Sequence, residues 1–240
     1  MGETKLTFKR YEKKYLLTGE QYDSLFARLE PYIEPDEYPQ STVCSVYYDS
    51  EDYRLIRHSL DKPVYKEKLR VRGYGVTGPE DPVFVELKKK FKGIVYKRRV
   101  TMPAARAAAW LAGEGEPTED GQMIREIQWF VDQNRPEPRV LIACDRSAWR
   151  SREDPELRIT FDRNIRWRRN ELELWRGSEG ETLLDDDSVL MELKIPGAAP
   201  LWLARMLSEL SLFPTSFSKY GTCYRDCILR EILDGVMSHV

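Results

Sequence analysis

Histidine is scarce in this chain, and its scarcity excludes several kinds of active site. Only His58 and His239 occur among the 240 residues. A Ser-His-Asp or Cys-His catalytic set needs a histidine as its general base, and only these two are available. The Gly-x-x-x-x-Gly-Lys-Ser/Thr phosphate-binding loop is also absent, so any nucleotide must bind in another way.

Cysteines and long apolar runs are also few. The four cysteines are Cys44, Cys144, Cys223 and Cys227, and the last two are four residues apart in a helical pattern without histidine partners. We interpret them as reduced, mostly buried thiols rather than a zinc site. No apolar run approaches the roughly 18 residues that span a bilayer, and the charged N-terminus does not resemble a signal peptide. These features favour a cytoplasmic protein that does not itself insert into a membrane.

The overall charge is nearly balanced, with a net charge of -2 although 32% of the residues are charged. Proteins that coat nucleic acids are usually basic overall, so we expect no nucleic-acid partner. The basic run at 163–169, which contains Trp167, is the strongest argument for such a partner. We interpret it instead as an arginine-rich hairpin at a strand end.

The order of predicted elements indicates an α+β fold in a single domain covering 1–240, with an antiparallel sheet flanked by helices. Thr18 begins a helix, and Gln21 is placed to complete a capping box. Further helices are expected after Ser50, near Pro103, around Ile127, at 200–212 and after Ser218. Strands are expected at 5–17, 41–48, 64–74, 82–91, 93–101, 138–150, 156–162, 171–176 and 187–195.

Positive charge is concentrated in one part of the chain. Residues 66–99 contain eleven Lys or Arg and four Asp or Glu, which gives this segment a charge of +7. Lys66, Lys68, Arg70 and Arg72 alternate along a predicted strand, so all four side chains lie on one face of the sheet. Such a row can be a solvated edge that discourages aggregation. That interpretation fits poorly because the pattern returns on other strands, in the pairs Glu86 and Lys88, Lys97 and Arg99, and Glu192 and Lys194.

A closed antiparallel barrel accounts for these alternating strands. Apolar sets such as Val83, Val85 and Leu87, or Val189, Met191 and Leu193, then face outward against helices, and the charged side chains line the interior. A lumen lined by Lys and Arg needs a polyanion to offset their repulsion, and both side chains suit phosphate. The few acidic residues are consistent with a divalent cation that bridges to the phosphate.

The same segments carry a family resemblance. RYEKKYLL (10–17), KLRVR (68–72), FVELK (84–88), YKRR (96–99), LRITFD (157–162), LMELK (190–194) and SFSKY (216–220) occur in the order found in the catalytic domain of the vacuolar transporter chaperone (VTC) polyphosphate polymerases. These belong to the triphosphate tunnel metalloenzymes and are related to the CYTH phosphatases. Each motif alone is weak, but the ordered set spans nearly the whole chain.

The resemblance implies a tunnel in which ATP extends a polyphosphate chain with Mn²⁺ or Mg²⁺. It implies that cations from several strands hold the phosphates and that Glu192 binds the metal. We assign Glu86 as a second candidate metal ligand and Glu12, Lys14 and Lys66 to substrate binding. The candidate catalytic cations are Lys68, Arg70, Arg72, Lys88, Lys97, Arg99, Arg146, Arg158, Lys194 and Lys219.

Some family features are missing. The eukaryotic family usually has a second lysine just before the SKY-type motif, where this chain has Thr215, Ser216 and Phe217. The eukaryotic complexes also carry an inositol-phosphate-sensing domain and membrane segments. We therefore expect a stand-alone, bacterial version that would reach a membrane only through a partner protein.

Two alternatives to the polymerase stay open. An inorganic triphosphatase or polyphosphatase would use the same cations and metal, since phosphoryl transfer depends on positioning and charge rather than on a protein nucleophile. A barrel that only binds polyphosphate is the other alternative. A buried carboxylate such as Glu192 favours an enzyme, because a simple anion binder gains little from it.

Overall fold

A computed structural model describes residues 10–92, 94–117 and 120–237. The chain forms two compact units. The first consists of 1–41, 145–164 and 184–217, and the second consists of 42–144, 165–183 and 218–240. Each unit is described by itself below.

Strands and helices alternate along the chain in groups. The strands are β1 (Arg10–Leu17), β2 (Ile33–Asp49), β3 (Tyr65–Tyr74), β4 (Pro82–Phe91), β5 (Ile94–Pro103), β6 (Glu137–Ser151), β7 (Arg158–Arg168), β8 (Glu181–Thr182) and β9 (Val189–Pro196). The helices are α1 (Gly19–Leu29), α2 (Arg54–Leu60), α3 (Ala104–Leu111), α4 (Gln122–Asn134), α5 (Leu201–Glu209), α6 (Lys219–Cys223) and α7 (Leu229–Met237). A π-helical segment, Tyr224–Ile228, connects α6 to α7.

The strands follow the hydrogen-bonded order β1–β9–β7–β6–β2–β3–β4–β5, and β8 pairs with β7. The pairings whose registers are described are antiparallel. The predicted α+β class and antiparallel sheet are therefore confirmed. In the part of the chain that the structure describes, this order begins at β1 and ends at β5, so closure into a barrel stays a prediction.

Each unit has its own apolar core. In the first unit, the core joins α1 and α5 to one face of β1, β7 and β9, and it includes Leu25, Phe161, Met191 and Leu203. In the second unit, Leu69, Val85 and Leu87 pack with Ile127 and Phe130 of α4. The two predicted apolar sets of β4 and β9 are thus buried as expected. No helix among the described residues is long and apolar enough to cross a bilayer.

Most element predictions hold, and the start of α1 shows why. The Thr18 hydroxyl accepts from Gln21 N at 3.2 Å, and the Gln21 side chain accepts from Thr18 N at 3.0 Å. This reciprocal pair satisfies two donors that the first helical turn leaves free. Residues 5–9 of the first predicted strand lie outside the described residues.

Two predictions about the strands are wrong, and a third is confirmed. β2 begins at Ile33 rather than at 41. Pro35 and Pro39 lie before Val43–Tyr48, which is the part of β2 that pairs with β3. Neither proline therefore interrupts a described hydrogen bond to β3. The basic run 163–169 contains the end of β7, which pairs antiparallel with the next strand, β8, at Arg166 and Trp167, so it forms one arm of a hairpin as predicted. The predicted strand at 171–176 is a loop with a 3₁₀ turn at Leu174–Arg176.

The loop after β7 is held in a bent conformation by an arginine. Arg168 donates to the carbonyl oxygens of Glu171, Gly177 and Glu179 at 2.7–3.0 Å. The backbone also turns through positive φ at Glu171 and Gly177. These contacts keep the segment from extending into a strand, and residue propensity alone does not reveal them.

Candidate functional site

One face of β3, β4 and β5 in the second unit is polar and basic. Side chains alternate along each strand, so Leu69 and Val71 enter the apolar core while Lys68, Arg70 and Arg72 lie on the opposite face. The antiparallel register aligns these cations with those of the neighbouring strands. We call this surface the basic face, and its strand residues are Ser45, Tyr47, Lys66, Lys68, Arg70, Arg72, Phe84, Glu86, Lys88, Lys97 and Arg99.

The register arranges the basic face in rows across the strands. One row contains Tyr47, Arg70, Glu86 and Arg99. The next row contains Lys68, Lys88 and Lys97. On the other side lies the row Ser45, Arg72 and Phe84. Cations therefore outnumber the single carboxylate of these rows six to one, which is an arrangement suited to a polyanion.

Glu86 is the buried centre of the basic face, with 1% of its side chain exposed. Its Oε2 accepts from Arg70 Nε at 2.7 Å, and its Oε1 accepts from Arg99 Nε at 2.7 Å and pairs with Lys97 Nζ. Burial acts to raise the pKa of this carboxyl, but Arg70, Arg72 and Lys97 outweigh burial and lower it. Glu86 is therefore ionised and has both oxygens occupied by cations.

Tyr47 and Ser45 of β2 hold the arginines of the basic face from the other side. Arg70 Nη1 donates to the Tyr47 hydroxyl at 3.3 Å, and Arg72 Nε donates to the Ser45 hydroxyl at 3.1 Å. Burial favours a raised pKa for Tyr47, but the charges of Arg70, Arg72 and Lys219 lower it. Lys219 therefore belongs to the same electropositive cluster.

The start of α6 is fixed against this cluster by a chain of contacts. Lys68 Nζ donates to the hydroxyl of Ser218 at 3.0 Å. The Tyr220 ring stacks on Tyr47 at 4.8 Å, and its hydroxyl donates to Asp49 Oδ2 at 2.8 Å. Asp49 also accepts from the backbone N–H groups of Leu55 and Ile56. Lys219 is thus placed by a buried network rather than by a free loop.

Lys97 gives the basic face a pH dependence. Burial lowers the pKa of Lys97 from its ordinary value to about 8, and this effect exceeds the opposing attraction of Glu86. A bound phosphate anion stabilises the protonated form, so binding should take up a proton near this pH. Affinity for tripolyphosphate should therefore fall as pH rises through about 8.

Between pH 7 and 9, deprotonation of Lys97 should lower the affinity for tripolyphosphate roughly tenfold. A tenfold change corresponds to a shift of one pKa unit between the free and the bound protein. The Lys97→Arg variant keeps its charge throughout this range and should lack this part of the pH dependence. Affinities of both proteins are measured by calorimetry at each pH. Protonation of tripolyphosphate itself affects both proteins equally, so it cancels in the ratio of the two affinities. Parallel pH profiles for the two proteins would show that Lys97 does not titrate at the bound anion.

In the first unit, β1, β9 and β7 also present a polar face. The register places Lys14 opposite Glu192 and Glu192 opposite Thr160. The ammonium groups of Lys14 and Lys194 each lie 3.9 Å from a Glu192 oxygen. The next row contains Glu12, Lys194 and Arg158. Charges of both signs therefore alternate here.

Two predicted arginines of this unit are paired with carboxylates. Arg146 donates to both oxygens of the buried Asp162, at 2.6 and 2.8 Å. Arg158 lies 3.6 Å from Asp36 and is about half exposed. Arg146 is consequently held in a fixed orientation, whereas Arg158 retains exposed surface with which to meet a ligand.

The metal prediction can be tested against the donor atoms. No group of three or more His, Cys, Asp or Glu residues that could hold a metal occurs among the described residues. Glu192 is 13% exposed, and the buried Thr160 hydroxyl beside it has no hydrogen-bond partner. This donor set fits a divalent cation of the Mg²⁺ type, which binds one or two carboxylates and takes its other ligands from water and phosphate. Glu86 fits less well, because both of its oxygens accept direct hydrogen bonds from arginines at 2.7 Å, whereas the ammonium groups near Glu192 lie 3.9 Å away.

The structure brings the predicted residues together in two sets. The second unit holds Lys66, Lys68, Arg70, Arg72, Glu86, Lys88, Lys97, Arg99 and Lys219, and the first unit holds Glu12, Lys14, Arg146, Arg158, Glu192 and Lys194. Lys66 is directed at a helix, since its Nζ donates to the Ser59 carbonyl at 2.9 Å.

The residues that orient these cations were not predicted from the sequence. They are Ser45, Tyr47, Asp49, Asp162, Ser218 and Tyr220. A signal was present in β2, where Ser45, Tyr47 and Asp49 alternate with Val46 and Tyr48 of the core.

Comparison with solved structures shows where this fold occurs. A candidate adenylate cyclase of Bacillus halodurans matches with a TM-score of 0.54 and 13% identity, over 86% of this chain and 92% of that chain. A candidate adenylyl cyclase of Hippeastrum, described as having a dominant triphosphatase activity, matches with a TM-score of 0.50 and 14% identity, over 90% and 94%. At these identities the likeness concerns the fold.

Comparison of sequences gives the family. No curated protein matches the chain. The profile of the VTC domain matches residues 9–228, which include every strand and helix up to the π-helical segment. The ordered motifs, the basic face and this match agree: the chain belongs to the VTC domain family.

Proposed function

We propose that this protein is a polyphosphate polymerase that transfers the γ-phosphoryl group of ATP to the end of a polyphosphate chain. The observation that carries the proposal is the basic face, which has six strand cations and one carboxylate, Glu86, that is already neutralised by Arg70, Lys97 and Arg99. Such a surface binds a chain of phosphates and offers no free base to activate water. Family membership supports the same substrate class.

The residues of the basic face would have different roles in binding the phosphates. Arg70 and Arg99 are held by Glu86, so their remaining N–H groups are oriented before the ligand arrives. Lys68, Lys88 and Lys97 add compact positive charges beside the arginines. In the transfer, an oxygen of the terminal phosphate of the chain forms a bond to the γ-phosphorus, the bond to the β-γ bridging oxygen breaks, and ADP leaves with that oxygen. The attacking phosphate is already anionic and needs no general base.

A divalent cation, Mn²⁺ or Mg²⁺, would supply neutralisation of the charge that develops on the phosphate oxygens. The resemblance assigns it to Glu192, and the donor set at Glu192 and Thr160 fits that assignment. Glu86 is better described as the buried counter-ion that positions Arg70, Lys97 and Arg99. Closure of the sheet into a tunnel and a cytoplasmic location remain parts of the proposal.

A triphosphatase is the second candidate, because the structurally similar Hippeastrum protein has that activity. A hydrolase must position water, usually with a carboxylate near the line of attack. On the basic face the carboxylate is Glu86, and cations occupy both its oxygens. This geometry favours transfer to phosphate over transfer to water.

Products formed from γ-labelled ATP distinguish the two activities. The purified protein is incubated with labelled ATP and Mn²⁺ or Mg²⁺, with and without a short polyphosphate primer, and the products are separated on a gel. We expect label in a ladder of chains longer than triphosphate, together with ADP. Label found only in orthophosphate, with either metal and with primer, would replace the polymerase by a triphosphatase. Retention of all label in ATP, together with binding of tripolyphosphate, would indicate a binding protein.

A further inference from the structure

The outer end of the β4–β5 hairpin exposes a group of large apolar side chains. They lie in the second unit and are 42–62% exposed, and we call them the tip patch: Val64, Tyr65, Phe91, Ile94, Val95 and Tyr96. Apolar side chains that are exposed singly are common on protein surfaces, whereas an exposed cluster marks an interaction site. The tip patch therefore indicates contact with a partner outside the chain.

Strand register and a hydrogen bond join the tip patch into one surface. Tyr65 lies opposite Phe91, and Phe91 lies opposite Ile94. The rings of Tyr65 and Phe91 are 6.5 Å apart in an edge-to-face arrangement. At the turn, Lys92 N donates to the Val64 carbonyl oxygen at 3.0 Å. Three chain segments thus support the patch, which is part of the sheet rather than a loose loop.

A polar row separates the tip patch from the apolar core of this unit. Glu67 lies opposite Lys89 in the register, and the Lys89 ammonium lies 3.8 Å from Glu67 and 3.3 Å from Glu126 of α4. Leu87, two residues before Lys89, is fully buried, whereas Phe91, two residues after it, is 44% exposed. The apolar core therefore ends at this row, and core packing does not account for the apolar residues beyond it.

Positive charge surrounds the tip patch. Residues 88–99 contain seven Lys or Arg and no Asp or Glu. Lys90 and Lys92 are exposed, and the Lys92 ammonium lies 5.4 Å from the centre of the Phe91 ring. Burial lowers the pKa of Lys66, and the charges of Lys90 and Lys62 lower it further. Like charges are therefore crowded beside the patch, which combines exposed apolar side chains with net positive charge.

We propose that the tip patch docks on the surface of an anionic lipid bilayer, with its apolar side chains below the headgroups and its lysines among them. Apolar burial and attraction to anionic lipids add together in such interfacial binding, and tyrosine is favoured at the membrane–water interface. A second copy of the chain fits less well, because two hairpins of this charge repel each other. Nucleic acid also fits less well, because Val64, Ile94 and Val95 have no ring on which a base could stack.

The proposed binding is peripheral, with no segment crossing the bilayer. The chain would then reach a membrane directly, without the partner protein expected from its sequence. Lys66 of the basic face follows Tyr65 of the patch, so one end of that face would lie near the lipid headgroups. The proposal does not depend on the polymerase activity, since the tip patch and the basic face share no residue.

Flotation of the full chain with lipid vesicles tests the proposal. The protein should float with vesicles of phosphatidylcholine and phosphatidylglycerol in equal parts, less so at high salt, and should not float with pure phosphatidylcholine. The double variant Phe91→Thr, Ile94→Thr keeps every charge and should weaken vesicle binding roughly tenfold or more. Lys92→Asn should weaken it roughly fivefold, the scale of one basic residue at an anionic surface. Asparagine tolerates the positive φ of this position.

Trp129→Gln is the matched control, because it removes an exposed aromatic side chain of α4, and its vesicle binding should stay within twofold of wild type. The double variant should keep the tripolyphosphate affinity of the wild type, which reports an intact basic face. Absence of wild-type flotation with the anionic vesicles, or equal flotation of the wild type and the double variant, would overturn the proposal. A wild-type dimer, or binding of single-stranded RNA, that is lost in the double variant while the wild type does not float would also overturn it. The partner would then be a second copy of the chain or a nucleic acid.

Discussion

Replacing Glu86 by Gln should lower the free energy of unfolding by about 2–3 kcal/mol, since removing one member of a buried ion pair leaves uncompensated charge. Glu86 is 1% exposed and binds Arg70, Lys97 and Arg99. The partly exposed Lys97 and Arg99 recover some hydration, which limits the loss. For a chain of this size the melting temperature should fall by roughly 5–10 °C.

Ligand should offset this loss, because a bound polyanion supplies the missing negative charge. Tripolyphosphate should therefore raise the melting temperature of Glu86→Gln by more than it raises that of the wild type. Glu126→Gln is a matched control. Glu126 also binds cations of the sheet, namely Lys89 of β4 and Arg98 of β5. That partly exposed network should contribute at most about 1 kcal/mol. Equal destabilisation of the two variants, or no gain from ligand in Glu86→Gln, would contradict the role given to Glu86.

Replacing Glu192 by Gln should reduce turnover on the order of 100-fold, the scale reported for loss of one electrostatic contribution to a transition state. The substitution keeps the shape of the side chain but removes the charge expected to bind the divalent cation. Affinity for tripolyphosphate measured without metal should stay within threefold of wild type or increase, because a negative charge has been removed. Product formation in saturating Mn²⁺ and calorimetry in its absence measure the two quantities.

The control for Glu192 is Glu209→Gln, which removes an exposed carboxylate of α5 that pairs with Arg28. Its turnover should match that of the wild type. Activity of Glu192→Gln within threefold of wild type in saturating Mn²⁺ would exclude Glu192 as the metal ligand.

The alternation of side chains made much of the second-unit site predictable. Lys68, Arg70 and Arg72 had to share a face wherever residues 64–74 formed a strand, and β3 covers nearly that range. The apolar residues Val83, Val85 and Leu87 identified the opposite face of β4 in the same way, and all three are buried. A period of two residues is a local property and can be seen in the sequence directly.

The role of Glu86 was not predictable from such local patterns. It depends on the register that places Arg70, 16 residues before it, and Arg99, 13 residues after it, in one row. Lengths of the intervening turns set this register, and a shift of one residue would move every side chain to the other face. Without the register, Glu86 resembled a metal ligand as closely as a counter-ion.

Long-range side-chain contacts limited the other predictions. Asp162 was not recognised as the partner of Arg146 because the two are joined only by the folded sheet. The segment 171–176 contains strand-forming residues, but Arg168 fixes its carbonyl groups in a bent loop. In both cases an arginine decides the structure through hydrogen bonds that residue propensity does not encode.

The central claim is that the phosphate chain binds to the basic face of β3, β4 and β5, and two adjacent lysines test it most directly. Lys88 lies on that face, opposite Lys68 and Lys97, whereas Lys89 lies on the other face and pairs with Glu126 and Glu67. Lys88→Gln and Lys89→Gln remove the same charge from neighbouring positions. Calorimetric titration with tripolyphosphate should show about a tenfold loss of affinity in Lys88→Gln, as expected for one charge-assisted contact, and a change of less than twofold in Lys89→Gln. Equal losses in the two variants, or the larger loss in Lys89→Gln, would contradict the claim.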